Sequence, residues 1–75
     1  MIFSDILKHI MDEHSITQLA LSKASGIHRV TISRYCNGKD ARDDSKLKLS
    51  LGLSKLTGFS AGVFYAMFQI DLEED

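Results

Sequence analysis

Residues 17–39 read TQLALSKASGIHRVTISRYCNGK, and they predict two short helices joined by a tight turn. Thr17 favours the N-terminal cap of a helix, because its hydroxyl accepts a hydrogen bond from a free backbone N–H. Gly26 stands where the first helix must end, since glycine adopts a left-handed conformation at little cost. A second helix is predicted over residues 29–36, where apolar residues recur at helical spacing and polar residues lie between them.

The basic residues of the chain are concentrated in this stretch. The whole chain of 75 residues has a formal net charge of −1, which by itself argues against a nucleic-acid partner. Residues 17–42 hold five basic residues and one acidic residue, whereas the segments on both sides are net acidic. A local basic face matters more to an anionic partner than the total charge does, so the distribution favours nucleic-acid binding.

The same stretch resembles the helix-turn-helix of the Cro/lambda-repressor (XRE-type) family of transcription regulators. The matching residues run from the start of the motif to the end of its recognition helix: Gln18, Leu21, Gly26, Ile27, Thr31, Ile32, Ser33, Arg34, Asn37, Gly38 and Lys39. Ser22 departs from the family by replacing a small alanine, and its hydroxyl is expected to bond back to a helix carbonyl. Cys36 replaces a residue that is often charged, and His28 replaces a serine-like helix cap.

The resemblance implies that the second helix enters the major groove of DNA, which admits one α-helix. Arg29 and Arg34 are expected to make bidentate contacts with guanine, and Val30 is expected to lie against a thymine methyl group. Gln18 is expected to contact a phosphate at the start of the preceding helix. The full set of implied DNA contacts is Gln18, His28, Arg29, Val30, Thr31, Ser33, Arg34, Asn37, Lys39 and Arg42.

Apolar spacing is helical along the whole chain, and no proline interrupts it. We therefore predict a single all-α domain over residues 1–75, a compact bundle of about five short helices. Besides the two helices of the motif, we predict helices over residues 2–14, 43–57 and from Ser60 to about Phe68.

Five leucines lie within the predicted fourth helix. The expected buried stripe consists of Leu47, Leu51, Leu53 and Leu56, with Leu49 at its edge. Gly52 lies inside this helix, where a glycine costs roughly 1 kcal/mol relative to alanine. A close approach of another helix is one reason for a glycine at that place.

The C-terminal segment is too apolar for a solvated terminus. One recognition helix reads only a few base pairs, and related regulators solve this by binding as two-fold dimers. We therefore predict a homodimer contact in this segment, with residues 69–75 as a tail that takes part. The contact is centred on Phe64, Phe68, Ile70 and Leu72. Two alternatives stay open, namely that these residues cover the monomer's own core against Phe3 and Leu7, and that the tail is either a helix or a strand.

The sequence contains no convincing set of catalytic or metal-binding residues. His9 and His14 lack a third ligand at a suitable spacing, and no cofactor is expected. Cys36 and His28 lie about 12 Å apart along one short helix, too far for a nucleophile and its base. A single cysteine, together with the lack of a signal peptide or of any membrane-length apolar run, favours a cytoplasmic protein without a membrane partner.

The predicted function is sequence-specific regulation of transcription through operator DNA, with a prokaryotic or phage origin implied by the resemblance. Steric blocking of a promoter by so small a protein favours repression. One alternative is a protein-binding helix-turn-helix module, an antirepressor or antitoxin that binds another regulator, motivated by the apolar tail and the acidic flanks. A small enzyme is the other alternative, and it is opposed by the lack of a converging acid–base pair.

Overall fold

Five helices follow one another along residues 2–70, the part of the chain that the computed structural model describes. They are α1 (Phe3–Glu13), α2 (Gln18–Ser25), α3 (Arg29–Cys36), α4 (Asp43–Thr57) and α5 (Ala61–Gln69). The predicted all-α class is confirmed, and the predicted limits of α3 and α4 agree with the structure. Within these residues no helix is long and apolar enough to cross a membrane.

Helix α1 buries one continuous stripe, as its apolar spacing predicts. The buried apolar residues of α1 are Phe3, Ile6, Leu7, Ile10 and Met11. Both α3 and α5 pack against this helix. Phe3 joins the two, because its ring makes edge contacts with Tyr35 of α3 at 5.7 Å and with Phe68 of α5 at 5.1 Å. Helix α1 therefore contacts both helices, although α5 packs more extensively on α4 and α3 also packs on α2.

The buried face of α4 differs from the stripe that the leucine pattern predicted. The exposed leucines are Leu47, Leu51 and Leu56, and the buried ones are Leu49 and Leu53. The buried face continues through Lys46 and Ser50, at the spacing of three and four that one helix face requires. The Ser50 hydroxyl donates to the carbonyl of Lys46 at 2.8 Å, which lowers the cost of burying this polar group.

Gly52 lies on the buried face of α4, where α2 approaches closely. Helix α4 packs along α2, and Gly52 lies against Ser25 at the end of α2. A Cβ atom at residue 52 would lie 2.9 Å from both the amide nitrogen and the Cβ atom of Ser25. Because carbon atoms in normal contact are about 3.5–4.0 Å apart, no side chain fits between these helices. The close approach that was expected to explain this glycine is confirmed.

Phe64 and Phe68 lie in the core of the monomer, which is the alternative stated for them above. A dimer contact cannot be centred on these two rings, because almost none of their surface is open to a partner. Ile70 is exposed and continues the right-handed helical conformation at the end of α5, so the segment is not a strand up to this residue. Leu72 lies outside the described residues, together with the rest of the predicted tail after Ile70.

Candidate nucleic-acid interface

Two serines fix the turn between α2 and α3. Gly26 ends α2 in the left-handed conformation with φ +78°, as predicted. The Ser22 hydroxyl donates to the carbonyl of Ile27 at 2.6 Å, and the amide of Ile27 donates to the Ser25 hydroxyl at 3.2 Å. The Ser22 hydroxyl therefore bonds to a carbonyl of the turn, and not to a carbonyl of its own helix as we expected. These bonds set the direction in which α3 leaves the turn.

His28 is the N-terminal cap of α3. Its Nδ1 atom accepts a hydrogen bond from the amide of Val30 at 3.1 Å. A histidine thus performs the capping that a serine-like residue performs at this place in the family. Since Nδ1 is occupied as an acceptor, the Nε2 atom is the one left for a partner outside the protein.

The inner side of α3 is locked onto α1. Ile32, Tyr35 and Cys36 are buried. The hydroxyl of Ser4 in α1 donates to the carbonyl of Tyr35, and the sulfur of Cys36 lies 3.9 Å from the sulfur of Met11. Contacts of this kind leave α3 little freedom to rotate about its axis, so its opposite side faces outward in a fixed orientation.

The outer side of α3 presents residues that were predicted to contact DNA. Arg29, Val30 and Arg34 are exposed, and Val30 exposes 51% of its surface. Thr31 and Ser33 are half-buried at the margins of the same side. The ion pairs within residues 2–70, which involve His9 with Glu13 and Lys46 with Asp40, include neither arginine. The guanidinium groups are thus presented to solvent at the position from which a recognition helix contacts base edges.

A sharp change of direction follows α3. Gly38 has a positive φ of 112°, and the amide of Lys39 donates to the carbonyl of Arg34 at 3.0 Å. The side-chain amide of Asn37 donates to the carbonyl of Ser33 at 2.9 Å, which closes the end of the helix. A side-chain amide has two hydrogens, so one remains available to an outside acceptor.

The loop after α3 exposes its basic residues and turns its acidic residue toward α4. Asp40 Oδ1 lies 3.9 Å from the Nζ atom of Lys46, whose side chain is buried. Asp40 is the one acidic residue between Thr17 and Arg42 in the sequence. Lys39 and Arg42 are exposed on either side of it. The Asp40 side chain is itself 77% exposed, so the pairing offsets only part of its negative charge between these two basic residues.

Gln18 and Asn37, distant in sequence, line one groove. The groove has a volume of about 410 Å³ and lies between α1, the start of α2 and the end of α3. Thr17, at its edge, caps α2 as predicted, because its hydroxyl accepts from the amide of Ala20 at 3.1 Å. Lys39 lies apart from this groove, in a smaller one beside the N-terminus of α1. The structure therefore joins two of the predicted phosphate contacts and separates a third from them.

Lys8 also lines the groove of Gln18 and Asn37, although no sequence pattern points to a role for it. Lys8 is exposed on α1, three residues before the buried Met11. A single lysine beside a buried stripe matches no motif, so the sequence alone does not distinguish it from any solvated lysine. Only the packing of α3 against α1 brings Lys8 to the α2 terminus.

The described residues offer no sign of catalysis or of metal binding. Among residues 2–70 no three histidine, cysteine or acidic side chains are grouped so as to hold a metal ion. Burial raises the pKa of the Cys36 thiol, and the nearby charge of Lys8 lowers it to a smaller extent. A thiol whose pKa is raised is a poor nucleophile near neutral pH.

Comparison with known proteins agrees with this geometry. A family model described as Helix-turn-helix matches residues 7–50, more than half of the chain, and the matched segment contains all of α2 and α3. No curated protein and no solved structure matched the chain. The matched family is one of DNA-binding transcription regulators, and its domain is not normally enzymatic. The chain therefore belongs to the Cro/lambda-repressor-like (XRE-type) helix-turn-helix family.

Proposed function

We propose that this chain is a sequence-specific repressor that binds operator DNA as a homodimer, of the kind found in prokaryotes or phages. The observation that carries the proposal is the contrast between the two sides of α3. The inner side is locked onto α1 by Tyr35 and Cys36, whereas the outer side presents Arg29, Val30 and Arg34. A helix that is rigidly held and basic on its outer side is suited to the major groove.

The proposed contacts divide into base readout and phosphate anchoring. Arg29 and Arg34 bind base edges, where each bidentate contact with guanine contributes discrimination of about 1–3 kcal/mol. Val30 lies against a thymine methyl group between them. The remaining polar residues of α3, Thr31 and Ser33, contact bases or phosphates at the margin of the groove.

Phosphate anchoring falls to the residues around α3. Gln18 and Asn37 hold one phosphate in the groove that they share, and His28 offers Nε2 at the start of α3. Lys39 and Arg42 clasp the backbone on the far side, where the loop is basic. These contacts fix the position of α3 without reading sequence. Occupation of an operator in this way blocks access to an overlapping promoter, which is the basis for proposing repression.

The outer face of α5 is the surface that we propose for the homodimer contact. Helix α5 carries no charged residue, and its outer face exposes Val63 and Ile70, seven residues apart and therefore on the same side. Phe59, before the helix, is exposed beside them. The exposed leucines of α4 are flanked by Lys48 and other charges, whereas α5 itself carries no charge and is bordered by His9 and Glu13 of α1 beside Val63. A helix that is apolar on both sides is normally covered on both sides.

The DNA-binding proposal is tested with duplexes selected from a random pool. We expect a preferred sequence whose affinity falls with salt, with a log–log slope of about −0.9 for each phosphate neutralised. Arg29→Ala should cost about 1–3 kcal/mol at the preferred sequence and relax the preference at one base pair. Lys39→Ala is the matched control, because it should weaken binding to all sequences alike. Equal loss on specific and non-specific duplexes for Arg29→Ala would show that Arg29 does not read a base.

A wild-type chain that retains no duplex at low salt, but does retain another regulator, would replace this proposal with the protein-binding alternative. Such a result would assign the apolar face of α5 to that partner.

The dimer contact is tested by sedimentation at several protein concentrations. Val63→Glu should raise the dimer dissociation constant more than about tenfold, because an unpaired charge buried in an apolar contact costs several kcal/mol. Leu51→Glu is the matched control, since Leu51 is a similarly exposed apolar residue on α4. A dimer that withstands Val63→Glu and dissociates with Leu51→Glu would move the contact to α4.

A further inference from the structure

The groove shared by Gln18 and Asn37 has a third polar wall, which α1 supplies. Lys8 and Asp12, one turn apart on α1, line it together with the start of α2 and the end of α3. Met11 and Cys36 lie between these walls and form an apolar floor. The groove therefore has hydrogen-bond donors on two sides and one cation, Lys8, among its lining residues.

The donors of the groove suit an anion with several oxygen atoms. The first amides of a helix have no partner within it, and the Thr17 hydroxyl serves the amide of Ala20, which leaves the amides of Gln18 and Leu19 open. Asn37 retains one amide hydrogen after its bond to Ser33. Neutral donors of this kind orient a phosphate, and a nearby ammonium supplies the charge that neutralises it.

The ammonium of Lys8 acts on the groove floor. The Lys8 charge opposes the effect of burial on the pKa of the Cys36 thiol, whereas the Asp12 charge acts in the same direction as burial. Both charges thus reach the middle of the groove, with opposite signs. A phosphate there would be attracted by Lys8 and repelled by Asp12.

We propose that Lys8 is a further DNA-contacting residue, whose ammonium binds the same backbone phosphate that Gln18 and Asn37 hold in this groove. The proposal rests on the function proposed above, because it requires α3 to lie in the major groove. Asp12 is then a residue that weakens binding. The first helix contributes to affinity through this pair without touching a base, so its effect is the same on every sequence.

The test measures the affinity of the full chain for its preferred duplex and for a scrambled duplex at a series of salt concentrations. For each half-site that the dimer occupies, Lys8→Gln should reduce the magnitude of the log–log slope by about 0.9 and lower affinity about 5- to 10-fold near 0.1 M salt. The loss should be the same on both duplexes. Asp12→Asn should raise the affinity for both. Lys55→Gln, which removes an exposed lysine near the end of α4, is the matched control and should leave the slope unchanged.

Lys8→Arg separates a charge effect from a disturbance of α1, because it keeps the positive charge at the same place. The proposal requires Lys8→Arg to keep the wild-type slope. An unchanged slope for Lys8→Gln, or an equal loss with Lys8→Arg, would overturn it while leaving the DNA-binding function intact. A wild-type chain that binds no duplex would overturn the proposed function and this contact together.

Discussion

Helices α3 and α5 are similar in length and both contact α1, yet they present chemically different surfaces to solvent. They have eight and nine residues, and both pack onto α1 through aromatic rings that meet at Phe3. The outer side of α3 carries two arginines, whereas that of α5 is apolar and uncharged. Both helices bury mainly apolar side chains, so their outer sides are what distinguishes them.

The ends of the two helices show a further difference. Three hydrogen bonds that involve the side chains of Ser22, Ser25 and His28 hold the start of α3 in place. Helix α5 begins with one cap, in which the Ser60 hydroxyl accepts from the amide of Gly62 at 3.2 Å. A helix that must place side chains against base edges needs a defined direction, whereas an apolar face tolerates small shifts.

The contrast between α3 and α5 requires the inner side of α5 to lie in the core. Phe68→Ala tests this requirement and has the largest expected effect. Removing a fully buried phenylalanine costs about 3–5 kcal/mol, a large part of the stability of a small domain. Urea unfolding followed by circular dichroism measures the loss. Val63→Ala, on the outer side of the same helix, should change the free energy of unfolding by less than about 0.5 kcal/mol in the monomer. A stable Phe68→Ala chain that only loses its dimer would place Phe68 at the interface.

Helix α4 packs closely on the end of α2 at Gly52 and Ser25, and Gly52→Ala tests this packing. Alanine improves helix propensity by about 1 kcal/mol, but its Cβ atom would meet the Ser25 backbone at 2.9 Å. Overpacking against backbone typically costs about 1–3 kcal/mol, so we expect net destabilisation of the order of 1 kcal/mol in urea unfolding.

Gly62→Ala is the matched control for Gly52→Ala, because the added Cβ atom would make only an ordinary contact of 3.5 Å with the Ser60 hydroxyl. It should leave the free energy of unfolding unchanged or raise it. Equal stabilisation by both substitutions would mean that the space between Gly52 and Ser25 can accommodate a Cβ atom.

His28→Ala tests the cap at the start of α3, with an expected effect similar to that of Gly52→Ala. Loss of an N-terminal cap costs about 1 kcal/mol of stability. His28→Ser should recover most of this loss, because a serine hydroxyl accepts the same amide hydrogen. Thermal unfolding of the two variants and the wild type decides the matter. Equal stability of the alanine variant and the wild type would mean that the Nδ1 bond contributes nothing.

The helix-turn-helix could be predicted from sequence because its features are local. Thr17 and Gly26 mark the limits of α2 through backbone chemistry that does not depend on the rest of the chain. The buried stripe of α1 follows from spacing in the same way. Local rules also place Ser60 at the start of α5, where the structure confirms it as a cap.

The features that escaped prediction depend on packing between helices. Leucines at five positions surround much of α4, so their spacing does not reveal that Leu49 and Leu53 face inward. The close contact of Gly52 with Ser25 shows which side of α4 faces α2, and no local sequence pattern predicts this contact. Phe64 and Phe68 were assigned to a partner because the C-terminal segment is too apolar for a solvated terminus, and composition alone cannot tell which of its residues the core takes. Lys8 shares a groove with Asn37 only when α3 docks on α1.

The sulfur contact between Cys36 and Met11 holds the chain's one thiol on the floor of the groove beside Lys8, where 7% of Cys36 is exposed. A disulfide reagent reacts with the thiolate, so burial and the raised pKa both slow the modification of Cys36 in the folded chain. Burial raises the thiol pKa, so the folded state holds this proton more tightly than the unfolded chain does. Folding stability from this group is therefore complete at neutral pH and is lost as the pH rises through the raised value. Slower modification of the thiol with bound duplex would show that DNA covers this groove.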